Sequence, residues 1–296
     1  MRSKHESIQL RCCSPCFLIG IAGPWITVFG AVYVQKVIVQ RLAGPIYLPP
    51  QLLHPQRTID EPLKLFYALR RALHDLNGYY GALPSSEEPS RLFPFVKSYD
   101  LPDRGTVTFD YVAALSPDGS KAVYVAEQKG GKKVVVKFAQ TYNTRAHRLL
   151  AQHGFAPELI YDGTEGPFYG GLSMIVMDYV EGITLSESLA TPPFLAHQDA
   201  VIASIRTAVG LLHTNDLVFG DLRTPNILLD NDGQVKLIDY DWCGVHGVGQ
   251  YPFIIGDAIE WASGVGPLTT MHKEDDLHML GRLIDNIQKG VKPGYW

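Results

Sequence analysis

Cysteine is scarce: four in 296 residues, three of them crowded at Cys12, Cys13 and Cys16 and the last at Cys243. A disulfide-stapled secreted domain spreads its cysteines along a short chain, so this pattern excludes that class and predicts free thiols in a reducing interior. No second ligand pair turns the N-terminal three into a zinc site. An excess of positive charge is missing as well. Charged residues make up 19% of the chain and the net charge is −4, which argues against nucleic-acid binding as the main activity. The sequence also lacks H-E-x-x-H, a P-loop ending in G-K-[ST], and G-x-S-x-G, and it has no internal repeat or low-complexity tract. Glycine-rich Gly244 to Gly249 lacks the order and flanking elements of a dinucleotide fingerprint and reads as loop.

Charge is absent over one long stretch, the 24 residues between Arg11 and Lys36. Its length would suffice for a bilayer span, which needs ~20 residues, and on length alone a span at residues 16–35 stays open. Pro15, Gly20, Gly23-Pro24 and Gly30 interrupt it, however, and Trp25 to Val39 is dense in β-branched and aromatic residues, which predicts buried strands and makes a membrane partner the poorer expectation. No small-residue cleavage pattern follows, so a secretory signal fits less well still, and the reading is intracellular and cytoplasmic.

The length allows about two domains at ~150 residues each, or one domain with an extension. Asp60-Glu61-Pro62 opens an amphipathic helix running to about Tyr80, with Leu63, Phe66, Leu69, Leu73, Leu76 and Tyr80 at helical spacing. Pro84 to Ser90 is a polar, proline-bracketed linker. The expected division is an N-terminal extension over 1–90 and a second domain over 91–296. In the latter, Thr106 to Leu115, Lys121 to Glu127 and Lys132 to Phe138 predict an antiparallel meander, with turns at Ser116 to Gly119 and Lys129 to Gly131. A helix is predicted from Arg145 to His153, strands at Leu159 to Asp162 and Leu172 to Met177, and a long helix through Val201, Ile202, Ile205, Val209 and Leu212 to His213, itself a packed or capping residue.

Chemistry concentrates in residues 218–242. Asp221 and Asn226 lie in one polar cluster, and Asp239 follows the apolar run Val235 to Ile238, with Asn231-Asp232-Gly233 as the turn of a hairpin between them. The hairpin brings three metal-capable oxygen groups to one edge. Phosphoryl transfer asks for such a set: a carboxylate to orient an attacking hydroxyl and hard oxygens for magnesium.

This stretch resembles the catalytic loop and metal-binding Asp of the protein-kinase-like superfamily, H-R-D-x-x-x-x-N followed by D-F-G. Phe-Gly-Asp-Leu-Arg-Thr-Pro-Asn at 219–226 and Ile-Asp-Tyr-Asp-Trp at 238–242 are most similar to a fungal group of kinase-like proteins. The resemblance covers about residues 105–290. It implies an α+β, two-lobed fold with a small antiparallel lobe and an abbreviated helical lobe, and ATP-dependent transfer of a phosphoryl group to a protein Ser/Thr hydroxyl, with ATP and Mg2+ as cofactors and the protein partner unspecified. By the same resemblance Asp221 is the catalytic Asp and Arg223 its basic neighbour, while Asn226 and Asp239 hold metal. Lys137, Gly119, Asp178, Tyr179 and Val180 bind ATP, and Asp276 supports the catalytic loop. Departures are as plain. Phe219 stands where the family has histidine, Arg145 near its helix glutamate, Asp241 where D-F-G has glycine and should stiffen the turn, and the phosphate loop has only Gly119. They keep two alternatives open: a pseudokinase scaffold, and a small-molecule kinase of the aminoglycoside- or choline-kinase type, to which Gly220 points.

Overall fold

The computed structural model describes residues 8, 11–33, 37–48, 60–84, 93–116, 121–190, 197–256 and 258–289. Two compact units result, one of residues 1–96 with 114–121, the other of 97–113 with 122–296.

In the first unit, β1 (Cys16–Ala22), β2 (Trp25–Tyr33) and β3 (Val37–Tyr47) form an antiparallel sheet with β2 in the centre. Gly23, at φ +57°, makes the β1–β2 turn, and the register runs from Ala22 opposite Trp25 to Cys16 opposite Ala31. The expectation of buried strands needs correcting. Only β2 buries residues fully, Ile26, Val28 and Ala31; β1 and β3 are mostly exposed despite their apolar composition, with Phe17, Ala43 and Ile46 packed against the core. Among the described residues, no helix is long and apolar enough to cross a membrane. Helix α1 (Asp60–Gly81) has the expected bounds, and of the expected stripe Leu69, Leu76 and Tyr80 are half-buried. Leu65 joins Ile26 and Val28 in the core, with Leu69 packed beside them, while Leu63, Phe66 and Leu73 face outward. Stripes one residue apart on a helix are both apolar here, and the sheet selects between them. Tyr80 closes the unit by donating its hydroxyl to the Pro15 carbonyl at 2.7 Å. Cys12, Cys13, Cys16 and Cys243 are free thiols.

The second unit begins with β4 (Ser98–Leu101), β5 (Gly105–Ala114), β6 (Ala122–Gln128) and β7 (Lys133–Ala139), then α2 (Thr144–Gln152), β8 (Leu159–Asp162), β9 (Phe168–Tyr169) and β10 (Leu172–Asp178). The sheet order is β4-β5-β6-β7-β10-β8, with β9 paired to β10 off this path. Strand β7 is therefore central, and Lys137 on it lies opposite Val123 of β6 and Ile175 of β10 rather than on an edge.

Residues 179–181 lead from β10 into β11 (Gly182–Thr184), α3 (Leu185–Ala190) and α4 (Gln198–Thr214). There follow β12 (Leu217–Val218), a 3-10 turn at Thr224–Asn226, the hairpin β13 (Ile227–Asp230) and β14 (Val235–Leu237), β15 (Gly244–Val245) and α5 (Lys273–Lys289). The helical core gathers Ile202, Ile205, Val209 and Leu212 from α4 with Leu280, Leu283 and Ile287 from α5 and Leu222, Ile227 and Leu237 from the hairpin region. Strand β15 corrects the loop reading at the start of 244–249, since Gly244 and Val245 pair with Val218 and Leu217, while 246–249 form the loop expected. Gly244 and Gly249 have no room for a side chain. A Cβ on Gly244 would lie 2.7 Å from the Met271 sulfur, and one on Gly249 3.0 Å from the Gly244 Cα.

Candidate active site

The hairpin β13–β14 forms because Gly233 adopts φ +76° and the Asp230 carboxylate accepts from the Asp232 and Gln234 amides at 3.0 and 2.7 Å. Its register puts Ile227 opposite Leu237, and the Ile238 amide donates to the Asn226 carbonyl at 3.0 Å. Asn226 and Asp239 thus leave the same end of one short ladder, one from each strand, as the spacing of the motifs predicts.

The loop before the hairpin is held from below by α5. Asp276, 1% exposed, accepts from the Phe219 amide at 2.7 Å, the Gly220 amide at 2.9 Å and the His213 imidazole at 3.0 Å. His213 is thus a hydrogen-bond donor to this carboxylate rather than a cap. Gly220 has φ +79°, and a Cβ there would lie 2.8 Å from the Met271 methyl, so both the backbone angle and the space demand glycine.

Above this anchor, Asp221 is 4% exposed and heavily bonded. The Arg223 guanidinium grips it in fork geometry, Nη2 to Oδ2 at 2.7 Å and Nε to Oδ1, and the Asn226 amide donates to the same Oδ2 at 2.7 Å and to the Asp221 carbonyl at 2.9 Å. Burial disfavours the Arg223 charge, but the hydrogen bond and charge of Asp221, with Asp239 beyond, outweigh it and raise its pKa. Arg223 also stacks over Trp261, 5.8 Å from the ring centre.

Lys137, 4% exposed, reaches from β7 to Asp239 Oδ1 and to Asp241 Oδ1, each at 2.5 Å. Asp239 has φ +74°, a left-handed turn for a residue with a side chain. Tyr240 between the two acids turns the other way into the core. Its ring stacks on His147 of α2 at 4.7 Å and 8°, meets Phe219 edge-on at 5.6 Å, and its hydroxyl donates to the Leu237 carbonyl at 2.9 Å. Phe219 therefore serves as apolar packing under Tyr240. His147 is fully buried, and its Nε2 lies 2.8 Å from the Pro157 carbonyl and its Nδ1 2.9 Å from the Tyr142 hydroxyl. A carbonyl only accepts, so Nε2 carries the proton and Nδ1 accepts from Tyr142. Burial, opposed by the Pro157 hydrogen bond and reinforced by Lys137, lowers the His147 pKa to about 4.

Arg145, near the place of the family's helix glutamate, points elsewhere: its guanidinium donates to the Asn215 carbonyl at 3.1 Å, at the end of α4. Asp241 does more than stiffen a turn, because it is a second carboxylate on Lys137. Its role went unread because the resemblance assigns glycine to that position; the signal was an acid two places after Asp239.

Other candidate residues lie apart or outside. Asp178 ends β10 opposite Val134 and pairs with Lys132 at 2.5 Å, and Tyr179 lies under Lys133, 5.7 Å from the ring centre. With Val180 they join the sheet to β11 but do not touch the Lys137 cluster through any contact described above. Gly119 and the linker residues 85–90 fall outside the described residues.

The chemistry of the gathered donors suits a divalent cation. Asp239 and Asp241 offer carboxylate oxygens and Asn226 an amide oxygen, hard ligands of the kind Mg2+ takes. Three carboxylates face two cations, Lys137 and Arg223, leaving one excess negative charge to attract it.

Residues 169–251 match the family model of the protein kinase domain. Over 135 residues, 44% of this chain, the sequence is 30% identical to ribosomal protein S6 kinase 2 alpha of Gallus gallus, covering 17% of that protein. It is 29% identical over 128 residues, 41% of the chain, to ribosomal protein S6 kinase alpha-3 of Homo sapiens, again covering 17% of it. The chain thus spans about a fifth or less of the length of these curated relatives. Among solved structures, the PK-1 kinase of Cydia pomonella granulovirus is similar with a TM-score of 0.49 at 21% identity, over 62% of this chain and 70% of that one. An antiparallel sheet followed by a helical core makes the second unit α+β, a kinase-like fold whose residues 169–251 are similar to the protein kinase domain.

Proposed function

We propose that the chain is an ATP- and Mg2+-dependent phosphotransferase whose acceptor is a Ser/Thr hydroxyl of a protein, akin to a fungal-type kinase-like group. One observation carries this reading above the rest: Lys137 and Asp239, 102 positions apart and both buried or nearly so, meet at 2.5 Å beside the Asp221–Asn226 pair. Burying an ammonium is costly unless it is paired, and a purely structural core would be cheaper with apolar residues there. The relatives named above as ribosomal protein S6 kinases lend support to the Ser/Thr class.

Asp239 and Asn226 would hold Mg2+, which when bound neutralises charge on the phosphates. Lys137 supplies a positive charge to the triphosphate. Asp221 accepts a hydrogen bond from the acceptor hydroxyl and orients it, and Arg223 screens the charge that gathers beside it. Residues 178–180 provide backbone groups for the base.

A scaffold reading has its own support, since Arg223 and Asn226 occupy both oxygens of Asp221. Measured Mg2+-dependent ATP turnover separates the two. The phosphotransfer reading expects turnover by wild type and a loss of at least ~100-fold in Asp221→Asn, the usual scale for a positioned acid or base. Equal turnover by both proteins would remove Asp221 from the chemistry, and nucleotide binding without turnover would favour the scaffold.

A further inference from the structure

The lysine of a kinase-like small lobe needs a carboxylate to hold it, and α2, Thr-Arg-Ala-His-Arg-Leu-Leu-Ala-Gln, contains none. We propose that Asp241 is the positioning residue for Lys137 in this chain, so that the acid comes from the turn after β14 and not from the helix.

Three observations carry this. First, the Asp241 carboxylate lies 2.5 Å from the Lys137 ammonium, and both groups are withdrawn from solvent, 27% and 6% of their side-chain surface remaining exposed. Second, the backbone around Asp241 is registered to the strand that bears Lys137. The loop that follows β7 supplies three bonds to it: Thr141 Oγ1 to the Asp241 carbonyl at 2.8 Å, the Asn143 amide to the Tyr240 carbonyl at 3.1 Å, and Asn143 Nδ2 to the Cys243 carbonyl at 3.0 Å. Third, the turn at Asp239 with Tyr240 buried behind it lets both acids reach the same ammonium although one residue separates them. Lys137 also lies 5.3 Å from the Tyr142 ring centre, on that same loop.

The two acids differ in what else they do. In the phosphotransfer reading Asp239 divides its oxygens between the ammonium and a cation, and Asp241 keeps Lys137 in place whatever Asp239 does. That division of labour rests on the proposed function; the pairing of Asp241 with Lys137 does not.

The test has two arms on the full chain. In the first, urea unfolding is measured for wild type, Asp241→Asn, Lys137→Met and the double variant. The pairing expects Asp241→Asn to lower the midpoint when Lys137 is present, and to lower it less, leave it unchanged or raise it in Lys137→Met, where the ammonium is gone. An equal loss in both backgrounds overturns the proposal, as would a double variant that fails to fold alongside both single ones. Should Asp241→Asn alone fail to fold while the double variant folds, the pairing is upheld.

In the second arm, Mg2+·ATP binding is compared for wild type, Asp241→Asn and Asp241→Glu. Removing the carboxylate from this ion pair loosens Lys137 and should weaken binding roughly 10-fold in Asp241→Asn, the effect of ~1.4 kcal/mol. Asp241→Glu should recover most of it, and the effect should fall on KM rather than kcat. Unchanged nucleotide affinity in Asp241→Asn would overturn the positioning role. If wild type binds no nucleotide, the phosphotransfer reading fails, and the first arm alone decides the pairing.

Discussion

Asp276 offers the sharpest test of how the candidate site is built. Replacing it by alanine leaves three donors facing a gap: the buried amides of Phe219 and Gly220 and the His213 imidazole, now bonded at 2.7, 2.9 and 3.0 Å. Each stranded buried donor costs ~1–3 kcal/mol, while releasing the carboxylate from its own buried position returns part of that. A net loss of about 3–4 kcal/mol follows, a large share of the ~5–15 kcal/mol that holds a domain together. With a urea dependence near ~3 kcal/mol per M, the midpoint should fall by roughly 1 M with unchanged slope. Tryptophan fluorescence is a fitting readout, because Trp242 and Trp261 lie 5.7 Å apart beside this loop. Asp276→Asn keeps one acceptor oxygen but turns an amide N–H toward other donors, so its loss should be at least half as large. A midpoint shift below about 0.3 M in the alanine variant would refute the idea that this carboxylate anchors the loop.

Two further outcomes follow from the same packing. His147 is held neutral to about pH 4, whereas in the unfolded chain it charges below about 6.5, so the unfolded state binds the extra proton and stability drains away as pH falls from 6.5 to 4. The swing is about 3 kcal/mol; His147→Phe, which keeps an aromatic ring against Tyr240, should flatten that part of the stability–pH curve, and an unaltered curve would contradict the burial argument. Gly220→Ala should cost roughly 1–3 kcal/mol from its left-handed backbone and the contact with Met271, measured by the same urea unfolding.

Much of this arrangement was legible in the residues. Asn231-Asp232-Gly233 forecast the hairpin, and the hairpin in turn fixes where Asn226 and Asp239 emerge. Meander strands were readable to within a residue because alternating β-branched runs end at glycine-rich turns, as at Gly130 and Gly131. What could not be read was anything decided by a distant partner. Leu63 and Leu65 are equally apolar, and only the sheet determines that Leu65 goes inward. The partners of Arg145 and Asp241 were unreadable for the same reason: a motif names the residue at a position, while the direction of its side chain depends on an α4 terminus 70 positions away in one case and on β7 in the other.

Met271 links these regions in a way that bears on mutational experiments. Its side chain fills the space that Cβ atoms on Gly220, Gly244 and Gly249 would need. Saturation scanning one position at a time should score all three glycines as intolerant. A library that also shortens Met271 should ease alanine at Gly244, whose closest clash is the Met271 sulfur, and leave unrescued Gly220, for its left-handed backbone, and Gly249, whose closest clash is the Gly244 backbone. Sequence drift at this corner would then proceed in pairs, with the methionine changing first.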